Sequence, residues 1–532
     1  MRIVPAGSLQ RVGRALCVAL ALVGAGIASA AAQPSTAAAH RDGAPLLARL
    51  YGSGQPQLLW YADRYGQARQ AVALLRAAAA HGLDPSHYGA DALSSQLDGP
   101  GPADAEGFDR TLSKAMLQYL SDLHSGRVAP DFTLPQAVPA FLSFDPVEHL
   151  RLALREHSLP QAVDAATPKI PLYKRVQAML DQYRTLAAAA PAWTGPDRLP
   201  PGGKLVAGSS YAGLGRLRER LVVLGDLDAI ERAPGAGLDA DLHTAALAEA
   251  IKRFQSRHGL AETGQLGRDT IAALAVPLGH RVRQLELTLE RLRWIPTFRP
   301  GRVIIVNVAA FRLWAFDTSA GGGEPVGMRV IVGNAARTPT PLFIGQMRYL
   351  EFNPYWNVPR SIALGEVIPG MARDPDYLST HGMEMVSAAG QVVEPSLAGL
   401  RAGQLRVRQR PGAGNVLGAV KFAMSNPMNI YLHSTSAREL FGKARRDLSH
   451  GCIRVEGPAE LARFVLAGQP QWSAQAIDAA MQPGPTRTVP LGDAIPVVLF
   501  YATAGSDRSG RAVFAADIYK RDDKLMRAMQ AR

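Results

Sequence analysis

Residues 431–456 read YLHSTSARELFGKARRDLSHGCIRVE, and the rest of the chain is organised around this stretch. It holds Cys452, directly after Ser449-His450-Gly451, and a second histidine, His433, upstream. The chain's other cysteine, Cys17, lies near its start. A thiol with an imidazole beside it is the minimum equipment for thiol nucleophilic catalysis, because the imidazole takes the proton and the thiolate is the reactive species. A cysteine can equally be a small buried hydrophobe, yet in an oxidising compartment it tends to be paired or used. His433, His450 and Cys452 have the donor types of a metal site. Their spacing fits none of the common zinc patterns, and no second cluster supplies a fourth ligand. Neither metal nor cofactor is expected.

The start of the chain bears on compartment. Arg2, Arg11 and Arg14 precede an uncharged apolar run at 15–32, and Ala28-Ser29-Ala30 offers a cleavage site, so residues 1–30 read as a secretory signal peptide. An uncleaved anchor is the alternative, since about 18 apolar residues just span a bilayer. Cys17 sits inside the apolar run, which argues against lipoprotein processing. No later run is apolar and long enough to cross a membrane. The 532 residues suffice for about three or four domains. The formal charge of +13 favours acidic partners. In an exported protein these are anionic wall or membrane surface, and no nucleic-acid motif supports the other choice.

Before the quoted stretch the signals are helical. Leu112, Met116, Tyr119, Leu120 and Leu123 form one stripe, closed by Gly126. Tyr173, Val176, Leu180 and Tyr183 form a second, and residues 67–81 a third, stopped by Gly82. These make a helical domain at 31–205, ending in the Pro/Gly-rich run 191–203. Leu247, Ile251 and Phe254 mark a compact helical unit at 206–278, and 279–300 reads as a connecting helix. From Arg302 the period changes to two. VIIVNV and FRLWAF flank a two-residue turn at Ala309-Ala310, and VGMRVIVG, QMRYLEF and NIYLH follow. Short strands with turn signals predict a sandwich or barrel at 301–503, interrupted at 353–412 by a segment whose length marks it as functional or mobile. Residues 504–532 read as a basic tail.

The pattern H-S, a variable run, then S-H-G-C-I-R resembles the signature of the L,D-transpeptidase catalytic domain, on His433, Ser449, His450, Gly451, Cys452 and Arg454. FNPYWNVP from Phe352, RQRPG from Arg408 and NIYLH from Asn429 are similar to its large Gram-negative members. LWYADRYGQARQAVALLRAAAAHGLDP and YLSDLHSGRV resemble their helical scaffold. IKRFQSRHGLAETGQLGRDTIAAL resembles a three-helix peptidoglycan-binding module, departing from it at Glu262-Thr263-Gly264, with Lys252, Arg253 and Arg257 as candidate glycan contacts. The resemblance implies a multidomain α+β chain whose catalytic domain is a mixed β-sandwich with a lid at 353–412. It implies Cys452 as nucleophile, His433 as base and the Ser434 carbonyl as its orienter. Backbone N–H groups around Gly451 and Cys452 would form the oxyanion hole, with Ser449 and His450 shaping the loop. Arg454, Tyr431, Trp356 and Asn353 would contact substrate.

Implied partners are peptidoglycan stem peptides as donor and acceptor, with other wall-synthesis enzymes possible. Implied chemistry is release of D-alanine from tetrapeptide donors to give three-to-three cross-links in the periplasm, at a site open to carbapenems. A hydrolase, an enzyme attaching or detaching a wall-linked lipoprotein, and a non-catalytic wall-binding protein stay open as alternatives.

Overall fold

The apolar stripes become helices that bury them. The computed structural model describes residues 43–52, 58–99, 101–131, 144–189, 193, 204–228, 241–507 and 509–531. The expected signal peptide and all of the 191–203 boundary but Trp193 lie outside these residues. Helices α1 (Gly43–Tyr51), α2 (Ala62–Arg76), α3 (Ala90–Leu97), α4 (Ala105–Ser125), α5 (Pro146–Arg155) and α6 (Leu159–Ala166) share one core. Asp104 caps α4 by accepting from the Gly107 N–H at 2.9 Å, and Gly126 ends it. The stripe at 67–81 divides into α2 and a 3-10 turn, Ala77–His81. Gly82 stops it with φ 68°, and a Cβ there would meet Leu289 at 3.2 Å. The second stripe, on α7 (Pro171–Ala189), is buried in a different core. It packs with Leu285, Leu289 and Leu292 against the strand residues Val303, Ile305, Val498 and Phe500.

Helices α8 (Leu214–Val223), α9 (Ala245–Arg257) and α10 (Arg268–Ala275) close over Leu217, Leu221, Leu247, Ile251, Phe254 and Leu274. Of the three basic residues read as glycan contacts, Arg257 is buried. It forms an ion pair with buried Asp226 and donates to the Ala512 carbonyl at 2.6 Å. Arg253 donates to the Asp226 carbonyl at 2.8 Å, and Lys252 pairs with Glu249. Arg257 therefore fastens this unit to the far end of the chain. Helix α11 (Leu278–Arg293) follows. No helix among the described residues is long and apolar enough to cross a membrane.

The strands are β1 (Arg302–Asn307), β2 (Arg312–Asp317), β3 (Val326–Gly333), β4 (Phe343–Phe352), β5 (Trp356–Asn357), β6 (Met383–Val386), β7 (Arg406–Gln409), β8 (Val420–Met424), β9 (Leu432–His433), β10 (Asp447–Ser449), β11 (Ile453–Val455), β12 (Arg487–Phe500), β13 (Ala504–Ser506) and β14 (Ala512–Phe514). The expected two-sheet sandwich is replaced by one mixed sheet in the order β10-β3-β11-β9-β8-β4-β12-β1-β2, which closes on itself because β2 also pairs with β3. Ile304, Val306, Leu313, Val330, Leu350, Phe422, Leu432, Ile453, Val497 and Leu499 fill its interior. The expected two-residue turn after β1 is a four-residue loop, because Asn307 pairs with Arg312 and Phe311 takes φ 52°.

The segment at 353–412 is a folded insertion with its own core, including Val358, Val367, Leu378, Met385, Leu400 and Val407, and its own sheet, β5-β7-β6. It leaves the barrel after Phe352, and the chain re-enters at Val420, which is that residue's partner in the β4–β8 ladder. Its helical part contains a π-helical turn, Ala363–Val367, a form that often marks functional sites.

Candidate functional site

Register explains why the chemistry-bearing residues meet. Strands β9 and β11 are parallel neighbours, with Ile453 opposite Leu432 and Arg454 opposite His433. Successive side chains on a strand point to opposite faces. Leu432 and Ile453 enter the barrel core, each fully buried and worth about 1.5–3 kcal/mol there. That commitment puts Tyr431 and His433 on one face with Cys452 and Arg454. A slip of one residue would send these four side chains inside and the two aliphatic side chains out.

Cys452 is a half-buried free thiol whose Sγ lies 3.7 Å from the Asn429 carbonyl. Burial pushes its pKa above the ordinary value, opposed by hydrogen bonds from Tyr431 and by the charges of Lys421 and Arg454. His433 is almost fully buried. Its Nδ1–H donates to the Ser434 carbonyl at 2.6 Å, which leaves Nε2 as the basic nitrogen. Burial first, and then the Arg454 guanidinium, push His433 down to about 3. Ser434 is held in turn, its Oγ donating to the Leu417 carbonyl at 2.9 Å and accepting from the Val420 N–H at 3.1 Å. At neutral pH both members of the pair are uncharged, a thiol and an imidazole. No direct hydrogen bond joins them in this structure.

The motif loop turns between two strands that both pair with β3, β10 in parallel and β11 antiparallel. Gly451 makes the turn with φ 113°, a region that side-chain-bearing residues rarely adopt. Ser449 Oγ bridges the turn. It accepts from the Gly451 N–H at 3.1 Å and donates to the Cys452 carbonyl at 2.5 Å. Gly451 thus spends its own N–H on Ser449, and of the two N–H groups expected to face an oxyanion, that of Cys452 is left.

Tyr431 lies edge-on to His433, with ring centroids 5.7 Å apart, under the Lys421 ammonium at 5.0 Å. The Cys452 thiol and Trp356 of the insertion both perturb its hydroxyl. Burial raises its pKa first, and the Cys452 thiol adds to the shift. Arg454 is mostly buried, and its Nε has no partner among the described residues; burial lowers its pKa. His450 does not join the thiol. It turns outward, its Nε2 2.8 Å from Glu366 Oε1 on the π-helical turn of the insertion. Asn353 is not aimed at a cleft either. It is buried with φ 47°, and its amide donates to the Ala480 and Gln482 carbonyls at 3.1 and 2.8 Å. The structure makes it a pivot where the insertion leaves β4. Among the described residues no group of three or more His, Cys, Asp or Glu side chains is arranged to hold a metal ion.

The sequence reading passed over Lys421, Asn429 and Glu366. A strand signal existed for Lys421, since Val420 and Phe422 flank it in alternation. Nothing local distinguishes Glu366 or Asn429 from other surface residues.

Three segments of the chain match known families. Residues 301–473 match the family described as the L,D-transpeptidase catalytic domain, and residues 45–180 match a scaffold domain. Residues 216–274 match a family described as "Putative peptidoglycan binding domain". A Haemophilus influenzae protein named "Putative L,D-transpeptidase" is 32% identical over 274 residues, covering 50% of this chain and 54% of that protein. The chain thus spans about half the length of the curated relative it matches.

Proposed function

We propose, from the likeness of residues 301–473 to the L,D-transpeptidase catalytic domain and of residues 216–274 to a family described as "Putative peptidoglycan binding domain", that the chain cross-links peptidoglycan stems through an acyl-enzyme on Cys452. The observation that carries the proposal is the shared face of β9 and β11. It gathers a thiol, an imidazole fixed in one tautomer and a buried guanidinium with a free N–H.

His433 Nε2 removes the Cys452 proton as Sγ attacks the carbonyl carbon of the third stem residue. Because both groups rest uncharged, proton transfer accompanies attack, and general-base help of this kind is worth roughly 10²–10⁴-fold. The Cys452 N–H supports the oxyanion. The C–N bond breaks, His433 returns its proton to the leaving D-alanine amine, and a thioester remains. The side-chain amine of a neighbouring stem then attacks the thioester, giving a three-to-three link and restoring the thiol. Arg454 suits the stem carboxylate, because a guanidinium fork binds both oxygens. Catalytic hydrogen bonds are often long before substrate arrives, so the missing His433–Cys452 bond would tighten in the complex. The insertion acts as a lid, with Trp356 reaching Tyr431 and Glu366 reaching His450. The site of action is the cell wall.

Intact-mass analysis with a disaccharide-tetrapeptide, alone and with a second stem as acceptor, tests the proposal. The expected result is an acyl adduct with loss of D-alanine, discharged as a cross-linked dimer when acceptor is present and absent in Cys452→Ala. Discharge only to free tripeptide would establish a hydrolase. No adduct on the intact protein would leave a wall-binding role.

A further inference from the structure

We infer that Tyr519, in the C-terminal tail beyond the barrel, is a positioning residue for the Cys452 N–H, acting through Thr340. This rests on the acyl-enzyme reading above and adds to it a residue from outside the matched catalytic segment.

Four hydrogen bonds make the connection. The Tyr519 hydroxyl donates to the Gly333 carbonyl at 2.6 Å and accepts from the Thr340 N–H at 3.0 Å. The Thr340 hydroxyl donates to the Gly451 carbonyl at 2.8 Å and accepts from the Gly333 N–H at 2.8 Å. Thr340 is fully buried, so each of these bonds would be costly to leave unmade. The Gly451 carbonyl belongs to the same peptide group as the Cys452 N–H, and that group is planar. Fixing the carbonyl oxygen at one end therefore fixes where the N–H points at the other.

The contact surface is cut to match. A Cβ on Gly333 would collide with the Thr338 carbonyl oxygen and lie 3.0 Å from Gly451 Cα. Thr338 Oγ1 donates to the Ser449 carbonyl at 3.0 Å, adding a second tie to the motif loop.

Tyr519 is itself held from behind. Its ring stacks on Tyr501, with centroids 5.8 Å apart, and its N–H donates to the Tyr501 hydroxyl at 3.0 Å. Tyr501 donates to Asp517 at 2.6 Å, and the tail is pinned by Asp522, which accepts from Arg291 and Thr503, each at 2.5 Å. The tail thus bears on the nucleophile loop without touching the thiol.

Tyr519→Phe keeps the stacked ring and removes only the hydroxyl. Thr340→Val removes the second link, and Thr340→Ser restores it. Acylation by the tetrapeptide should fall roughly ten- to hundredfold in Tyr519→Phe and Thr340→Val, in kcat rather than KM, as expected when an oxyanion donor is misdirected. Thr340→Ser should recover most of the rate. Alkylation of Cys452 by iodoacetamide forms an S–C bond and expels iodide with no oxyanion, so it should stay within about twofold. Amide exchange at Gly451, whose N–H is bonded to Ser449 Oγ in the same loop, should speed up in Tyr519→Phe.

Unchanged acylation, an equal loss in alkylation, or Thr340→Ser behaving like Thr340→Val would overturn the inference. If wild type forms no acyl-enzyme, the transpeptidase reading fails, and the exchange rate still decides the brace. Faster exchange upholds it and unchanged exchange removes it.

Discussion

The resting charge of the Cys452–His433 pair predicts an unusual pH profile for the proposed acylation. An ordinary histidine with a pKa near 6.5 is about 90% protonated at pH 5.5 and useless as a base. His433 is pushed down to about 3 by burial, reinforced by Arg454 across the β9–β11 register. At pH 5.5 only about 0.3% of it carries the extra proton. Cys452 is displaced the other way, above its ordinary value, so it stays a thiol over the same range. Neither partner titrates between pH 5.5 and 7.5. The second-order rate constant for acylation reports groups of the free enzyme, and it should change by less than about twofold across that window. Quenched intact-mass measurements at substrate well below saturation give the constant directly. A roughly tenfold fall as pH drops through about 6.5, absent from His433→Ala, would show that the imidazole titrates normally. That result would refute the neutral-pair argument. His433→Ala should cost roughly 10²–10⁴-fold at every pH in the window, with no pH dependence of its own.

Other consequences can be measured separately. Glu366→Gln removes the tie between insertion and His450; both side chains are about half exposed, so the contact is worth no more than about 1 kcal/mol. The ratio of hydrolysis to cross-linking should rise by at most about fivefold, and a fall would speak against a closing role. Arg257→Met strands buried Asp226 and cuts the link to Ala512. It should cost roughly 3–5 kcal/mol, seen as faster amide exchange in α9 and at β14; protection unchanged at β14 would show that the link carries no docking energy. Burial and then Glu290 raise the Asp122 carboxyl to about 7, where it meets the Tyr88 hydroxyl at 2.9 Å. The folded state then holds a proton that the unfolded chain releases above about pH 4. That stability is complete below the unfolded pKa and lost as pH rises through about 7. Amide exchange in α4 should therefore quicken from pH 6 to 8.5, after correction for intrinsic rates, and Asp122→Asn should abolish the difference.

What was legible in the sequence was whatever a local period or a fixed motif carries. The helical stripes around Leu112 and Leu247 needed only a spacing of three and four, and tertiary packing kept them. The Cys452 loop stood out in the sequence because a thiol directly follows Ser449-His450-Gly451, with a second histidine upstream at His433. The barrel was not. A sandwich and a closed sheet share the same in-out alternation along each strand, and the difference lies in β2 pairing with both β1 and β3, a choice of hydrogen-bond partner that leaves no mark on side-chain pattern. The helix at Tyr173 was legible as a stripe, but its packing with Leu285 and Leu289 against the barrel strands was not, because periodicity says which face is buried and nothing of what covers it. The bonds of Asn353 were hidden for a related reason. Sequence offers it as a polar residue near Trp356, and only the fold shows its amide donating to two carbonyls.

The same reasoning bears on what must be present for the site to exist. The segment alike to the catalytic family ends at 473, yet β12 (Arg487–Phe500) lies between β4 and β1, pairing with both. Cutting the chain at 473 would remove a central strand, open the barrel and expose the edges of β1 and β4, and unpaired edges invite association. It would also remove Tyr501, whose ring supports Tyr519. Cutting after Phe500 instead would spare β12 and still lose Tyr519, Asp522 and the hairpin that receives Arg257. The two truncations should therefore fail differently, the first by losing the fold and the second by loosening the loop that carries Cys452. The boundary of the catalytic unit is set by which strands close the sheet, and the boundary of a working active site lies further on, where the last support of the Gly451–Cys452 peptide is made.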